Sequence, residues 1–211
     1  AETAQFDAVV ICNGHFSEPR LPAVAGSSSF PGRELHSHNY RVREEFEGQR
    51  VVVVGAGNSG EDICRDISRV AEAVWLSARE FGSLGEVDVG ESAPLWGPGG
   101  NIVRRPMLKA LSPDGGAAFE GGLTAEEVDA VVYCTGYEYN FPFLNLGDEA
   151  LLDVQDNCVG PLYEQVFPAA VGPTLSIIGM PFRVAPFPLM EIQSLWVARV
   201  LSGRARLPGR E

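Results

Sequence analysis

The chain has 211 residues, 45% of them hydrophobic, and carries 28 acidic against 16 basic side chains for a formal charge of −12. That length accommodates one sizeable domain or two small ones, and the apolar content excludes disorder as the main state. The acidic balance argues against nucleic acid or an anionic membrane as the main partner, and no apolar run approaches a transmembrane span.

The first element, Phe6-Asp-Ala-Val-Val-Ile-Cys-Asn-Gly14, reads as an apolar strand ending in glycine. A second version stands at Val128-Asp-Ala-Val-Val-Tyr-Cys-Thr-Gly136, and the two align from Asp7 to Gly14 and from Asp129 to Gly136. Such a strand comes late in a nucleotide-binding half, after its first βαβ unit. The second copy obeys that order and the first has nothing before it, so a fragment lacking an upstream nucleotide-binding half is expected. Residues 15–47, with Pro19, Pro22, the serine run 27–29 and Pro31, read as a connector.

Four valines, 51–54, then run into Gly55-Ala-Gly57-Asn58-Ser59-Gly60. A buried strand followed by GxGxxG at a helix start is the pattern of a dinucleotide-binding turn. Gly55 serves the tight turn, Gly57 the close approach of a pyrophosphate, and Gly60 the packing of helix on strand. Backbone N–H groups at the helix start, aided by the helix dipole, suit phosphate. Ile63, Ile67, Val70 and Ala71 give that helix an apolar face. The next strand, Ala73–Ser77, leads to Arg79, 24 positions after Gly55. An arginine there accommodates the 2′-phosphate of NADP, whereas an acidic residue would hold the ribose of NAD. Glu80 stands next to it as a group that could partly neutralise Arg79 or contact a ribose itself.

Residues 82–122 are rich in glycine and proline and read as loops with short strands around Ile102-Val103 and Ala117–Phe119. A strand is expected at Leu175–Gly179, then a helix from about Leu189 to Ser202 stopped by Gly203, with Ile192, Leu195 and Trp196 on its core face. Cys12, Cys64, Cys134 and Cys158 form no CxxC pair, which speaks against a disulfide framework, a zinc site or a dithiol reductase. His36 and His38 lack an obvious third ligand nearby, and no metal is expected.

These residues resemble the flavin-containing monooxygenases, in particular the plant-type S-oxygenating branch. Phe30-x-Gly32-x-x-x-His36-x-x-x-Tyr40 is similar to that family's identifying motif and precedes the GxGxxG turn, as it does in the family. Cys12-Asn-Gly-His15, Cys134-Thr-Gly-Tyr137 with Phe141-Pro-Phe-Leu144, and Glu191-Ile-Gln193-Ser194 also look like family segments. Baeyer–Villiger monooxygenases carry tryptophan in place of Tyr40 and are a poorer likeness. The resemblance implies an α/β, Rossmann-like flavoprotein with two dinucleotide-binding domains, an NADP domain (48–132) inserted in an incomplete FAD domain (1–47 and 133–211). The family's FAD-binding GxGxxG and active-site asparagine would lie upstream of residue 1.

The resemblance further implies an NADPH- and FAD-dependent monooxygenase in which reduced flavin takes O2 to a C4a-hydroperoxide that oxygenates a sulfide or amine. No protein nucleophile is required, and the catalytic residues stay unassigned. Gly55, Gly57, Asn58, Ser59 and Gly60 would cradle the pyrophosphate and Arg79 the 2′-phosphate. Gly32 and His36 would help seat the cofactor, with a hydrogen-bonded hinge as the other reading of His36. Thr135 and Gly136 would mark the return to the FAD domain, and Gln193 would either approach the flavin or cap its helix. A non-catalytic NADP-binding fragment and another two-dinucleotide flavoprotein, such as a reductase, remain as alternatives. The Ala1–Phe6 start has no signal-peptide character, and a soluble cytoplasmic protein is expected.

Overall fold

The computed structural model describes residues 3–81, 88–144, 152–155 and 157–209. In chain order its main elements are β1 (Val9–Ile11), β2 (Arg33–His36), β3 (Arg50–Val54), helix α1 (Asn58–Ile67), β4 (Ala73–Ser77) and β5 (Ile102–Arg105). There follow β6 (Leu108–Leu111), β7 (Ala117–Phe119), β8 (Thr124–Ala125), β9 (Ala130–Tyr133), β10 (Leu175–Ile177) and helix α2 (Pro186–Leu201). The chain divides into two compact units, one formed by residues 1–18 with 137–211, the other by residues 19–136.

The second unit is built on a five-stranded parallel sheet in the order β2-β9-β3-β4-β5. Its central strand explains the valine run. Val51 and Val53 face α1 with Cys64 and Ile67, while Val52 and Val54 face the other layer with Leu108, Leu111 and Phe119. All four are at most 1% exposed. A strand covered on both faces has no polar alternation to keep, so a continuous apolar run is what the fold demands. The layer opposite α1 is an antiparallel meander, β6-β7-β8, where a second crossover helix would otherwise lie. Of the stretch expected as loops and short strands, Ile102–Arg105 and Ala117–Phe119 are strands, β6 joins them, and residues 82–87 lie outside the described residues.

Two local expectations differ. Helix α1 closes at Ile67, where the Ser68 hydroxyl turns back to the Arg65 carbonyl at 2.9 Å. Its buried face is therefore Gly60, Cys64 and Ile67, with Val70 and Ala71 in the following turn. Residues 19–47 belong to this unit and not with the outer segments. β2 forms the sheet edge beside β9, and Asp129 staples the sheet's amino end through Arg33 N–H to its carbonyl (2.8 Å) and Arg50 N–H to its carboxylate (2.8 Å).

The connector's motif residues hold that edge. Phe30 enters the meander-side core, and the Tyr40 hydroxyl donates to Asp66 of α1 at 2.6 Å while its ring stacks on Phe46. Arg43 donates to the other Asp66 oxygen at 3.0 Å. The Tyr40 and Arg43 hydrogen bonds keep the Asp66 carboxyl below its ordinary pKa against the opposing effect of burial.

In the first unit β1 and β10 pair in parallel, Val9 with Leu175 through Ile11 with Ile177, over a core of Ile11, Phe141, Leu152, Leu175, Ile177 and Met180. Helix α2 starts three residues before the expected Leu189, with Pro186 in its first turn, where a missing N–H costs nothing. Its buried face is Gln193, Val197 and Val200. Ile192 and Leu195, expected in the core, are 65% and 55% exposed, and only Trp196 packs, edge-on against Phe167. Among the described residues no helix is long and apolar enough to cross a membrane.

Gly60 sets a sharp test of this packing. A β-carbon there would lie 1.8 Å from the Gly55 carbonyl oxygen, a backbone atom that cannot rotate away. Gly60→Ala is expected to destabilise the chain by about 3 kcal/mol or more in urea unfolding, and a midpoint near wild type would contradict the packing.

Candidate nucleotide-binding site

In an open parallel sheet, ligands bind outside the carboxyl ends of the strands where the strand order reverses. Here that point is the crevice between β3 and its neighbour β9. The turn after β3 leads straight into α1: Gly55 has φ 107°, and its N–H donates to the Ser77 carbonyl at 2.8 Å. A β-carbon on Gly55 would lie 2.4 Å from the Cys134 carbonyl oxygen at the end of β9. Gly55 and Gly60 are thus glycines because protein backbone fills the space. Gly57 is a glycine for another reason: a β-carbon there meets no atom within 4 Å.

Gly57 is exposed, and so are Asn58 and Ser59 in the first turn of a ten-residue helix that begins without a side-chain cap. The first N–H groups of such a helix have no intrahelical acceptor. The observation that tests the fit of a pyrophosphate is this open cradle, aimed at by helix N–H groups and bounded by a residue with no side chain. The fit is good.

Arg79 lies just past β4, exposed, and makes no ion pair among the described residues, Glu80 included. Its neighbour Ala78 is tied to β5 through its N–H and the Arg105 carbonyl at 3.1 Å. Ser77, not singled out in the sequence, fixes this corner: its hydroxyl donates to the Pro106 carbonyl and accepts from Leu108 N–H, both at 2.8 Å. A lone serine closing an apolar strand is the only sequence signal it gives.

On the other flank of the crevice, the Gly136 carbonyl accepts from Arg20 N–H at 3.0 Å and from His36 Nε2 at 2.9 Å. The Thr135 hydroxyl donates to the Arg20 carbonyl. His36 Nδ1 accepts from His38 N–H at 3.0 Å, so the proton of the neutral ring sits on Nε2. Both ring nitrogens are therefore engaged by backbone, the arrangement of a hydrogen-bonded clasp at the end of β2. Gly32, expected to help seat the cofactor, lies at the opposite, amino end of β2, about 13 Å away at the rise of a strand. A β-carbon there would lie 2.5 Å from the Phe30 ring and 2.6 Å from the Asp129 carbonyl oxygen, so its role is close packing.

Beneath the turn, burial raises the Cys134 thiol to about 12, against a smaller opposing effect of the Ser37 hydroxyl, and burial also pushes Cys64 well up. Both stay protonated, so no thiolate faces the anion site.

Gln193, in the first unit, neither starts nor caps its helix. It stands in the middle of α2, 5% exposed, and its Oε1 accepts from Gly179 N–H at 2.9 Å. His15 Nδ1 donates to the Gly179 carbonyl at 2.9 Å. That amide oxygen is spent on backbone, where it ties α2 to the end of β10.

The family described as Flavin-binding monooxygenase-like matches residues 1–87 and 98–211. "Flavin-containing monooxygenase FMO GS-OX-like 2" of Arabidopsis thaliana is 46% identical over 206 residues, 98% of this chain and 42% of that protein. The solved S-allyl-L-cysteine S-oxygenase of Allium sativum is 45% identical with a TM-score of 0.84, over 96% of this chain and 44% of that one. The thioredoxin reductase of T. acidophilum, 18% identical with a TM-score of 0.63, shares the fold. The chain thus has the two-dinucleotide flavoprotein fold and spans less than half the length of these Arabidopsis and Allium relatives.

The His36 clasp gives a pH prediction. Burial pushes its pKa below the ordinary 6.5, outweighing the Gly136 carbonyl, which favours the charged ring, and His38 adds to the lowering. A lowered pKa means that the unfolded chain binds the proton more readily. The clasp's stabilisation is therefore present above about pH 6.5 and is lost as pH falls below it. Between about pH 7.5 and 5.5, the urea midpoint of the wild type should fall more steeply than that of His36→Gln. Equal slopes would count against the clasp.

Proposed function

The chain belongs to the flavin-binding monooxygenase-like family, and we propose that its second unit binds NADPH for a flavin-dependent monooxygenase acting on soft nucleophiles, thioethers first. The observation that carries this reading is the contrast among the three glycines. Two are filled by backbone and the third opens on an uncapped helix start.

In this reading the backbone N–H groups of Asn58, Ser59 and Gly60 bind the pyrophosphate, helped by the positive end of the α1 dipole. The Arg79 fork takes the 2′-phosphate. Thr135 and Gly136, held by Arg20 and His36, wall the crevice on the β9 side. The net charge of −12 supplies no long-range attraction for a polyanion, so these local donors must do the binding. Flavin, when bound, supplies electron transfer and oxygen activation. No described residue is assigned to it.

The choice of substrate class rests on the Allium relative's name, which specifies an S-oxygenase. Thioether sulfur and amine nitrogen both offer the accessible lone pair that oxygen transfer needs, so amines are the second class. The deprotonated thiol that a dithiol reductase requires is not provided by buried Cys64 or partly buried Cys134, both held protonated.

Calorimetric titration tests the nucleotide half directly. The wild-type chain should prefer NADPH over NADH. Arg79→Ala should weaken NADPH by about 1.5–3 kcal/mol while leaving NADH unchanged. Gly57→Ala should cost less than about 1 kcal/mol of stability, yet weaken both nucleotides by at least about tenfold, because the new methyl group occupies the cradle. Unaltered affinity in Gly57→Ala would remove the pyrophosphate from this turn.

A further inference from the structure

Four arginines of the second unit are neutralised by carboxylates within it. Arg33 pairs with Glu45, Arg43 with Asp66, Arg50 with Glu127 and Arg65 with Glu61. Arg104 is different. It is half-buried on β5, beside Leu76 of β4, one residue before Arg105, which stands opposite Ser77. No carboxylate or hydrogen-bond acceptor meets its guanidinium among the described residues, and its Nε is buried without a partner.

Aromatic rings hold it instead. The guanidinium carbon lies 4.2 Å from the Trp96 ring centroid and 5.9 Å from that of Phe81, two residues beyond Arg79. Trp96 is itself fixed to the sheet edge by paired backbone hydrogen bonds with Ile102, at 3.0 and 3.2 Å, and carries Arg65 at 5.4 Å. Stacking occupies the face of a guanidinium and leaves the N–H donors on its edge unused. Held face-on by rings and unpaired with any described carboxylate, this cation keeps those donors for an anion from outside.

We propose that Arg104 is a second cationic contact for the 2′-phosphate of NADPH, a specificity-determining residue held by Trp96 and Phe81 and acting beside Arg79. The inference rests on the nucleotide reading given above. The two arginines have complementary roles: Arg79 is exposed at the strand end, whereas Arg104 is preorganised by its rings and loses little freedom on binding. A phosphate dianion can use both forks at once.

The test titrates NADPH, NADH and adenosine 2′,5′-bisphosphate into the 211-residue chain and its variants. Arg104→Gln should weaken NADPH and the bisphosphate by about tenfold or more, with NADH unchanged. Arg104→Lys, which keeps the charge and loses the fork, should fall between. Trp96→Leu, which keeps Arg104 and frees it, should weaken NADPH by less than Arg104→Gln and leave NADH unchanged. Wild-type affinity for NADPH in Arg104→Gln, or equal losses for NADPH and NADH, overturns the proposal. Should Arg104→Gln fail to fold, unaltered NADPH affinity in both Arg104→Lys and Trp96→Leu overturns it equally. Arg79→Ala in the same series separates the two readings. A wild type with no preference for NADPH sinks the nucleotide site itself, whereas sensitivity to Arg79→Ala alone sinks only the role of Arg104.

Discussion

Two absent methyl groups set the architecture of the second unit. The path from β3 into α1 is so tight that a β-carbon on Gly55 would overlap the Cys134 carbonyl oxygen and one on Gly60 that of Gly55. This close approach lets the helix start directly above the sheet's carboxyl edge, with its first N–H groups open and its buried face of Gly60, Cys64 and Ile67 against Val51 and Val53. Relaxing it would move the helix away from the strand, and the alignment of helix dipole with crevice would go with it. The third glycine, Gly57, is free of any steric demand from protein.

The segment at 30–40 has a related but separate task. Its residues are spread along a connector, yet each meets a different part of one unit: Phe30 the meander-side core, Gly32 the Asp129 backbone, His36 the Gly136 carbonyl, and Tyr40 the Asp66 carboxylate of α1. Together they fix an edge strand to a sheet whose other strands come later in the sequence. A motif that identifies a family need not touch its cofactor. Here it builds the wall against which the β9 end, Cys134 to Gly136, is held.

Charge has a comparable division. Arg33, Arg43, Arg50 and Arg65 are spent on carboxylates, so a site for a polyanion draws on cations that escape such pairing. Arg79 escapes by exposure and Arg104 by stacking on aromatic rings. The neutral thiols of Cys64 and Cys134 add no negative charge beneath the turn.

The strand–GxGxxG–helix unit, the Arg79 position and the strand at Ala130–Tyr133 were legible in the sequence because each depends on neighbours within a few residues. A buried strand must be apolar, a tight turn needs glycine, and a helix follows its own periodicity. The faces of α2 were not legible, since Ile192 and Gln193 exchange places according to which side meets the Gly179 backbone, and only packing decides that. The same holds for Gly32 and His36, whose spacing marks the motif but whose partners, Asp129 and Gly136, lie about a hundred positions away. Composition and local pattern determined an α/β sheet with a strand–GxGxxG–helix turn of the dinucleotide-binding type. Tertiary structure decided which glycine faces protein and which faces open space, and which arginine is spent on a carboxylate, because both depend on long-range contacts that no local spacing encodes.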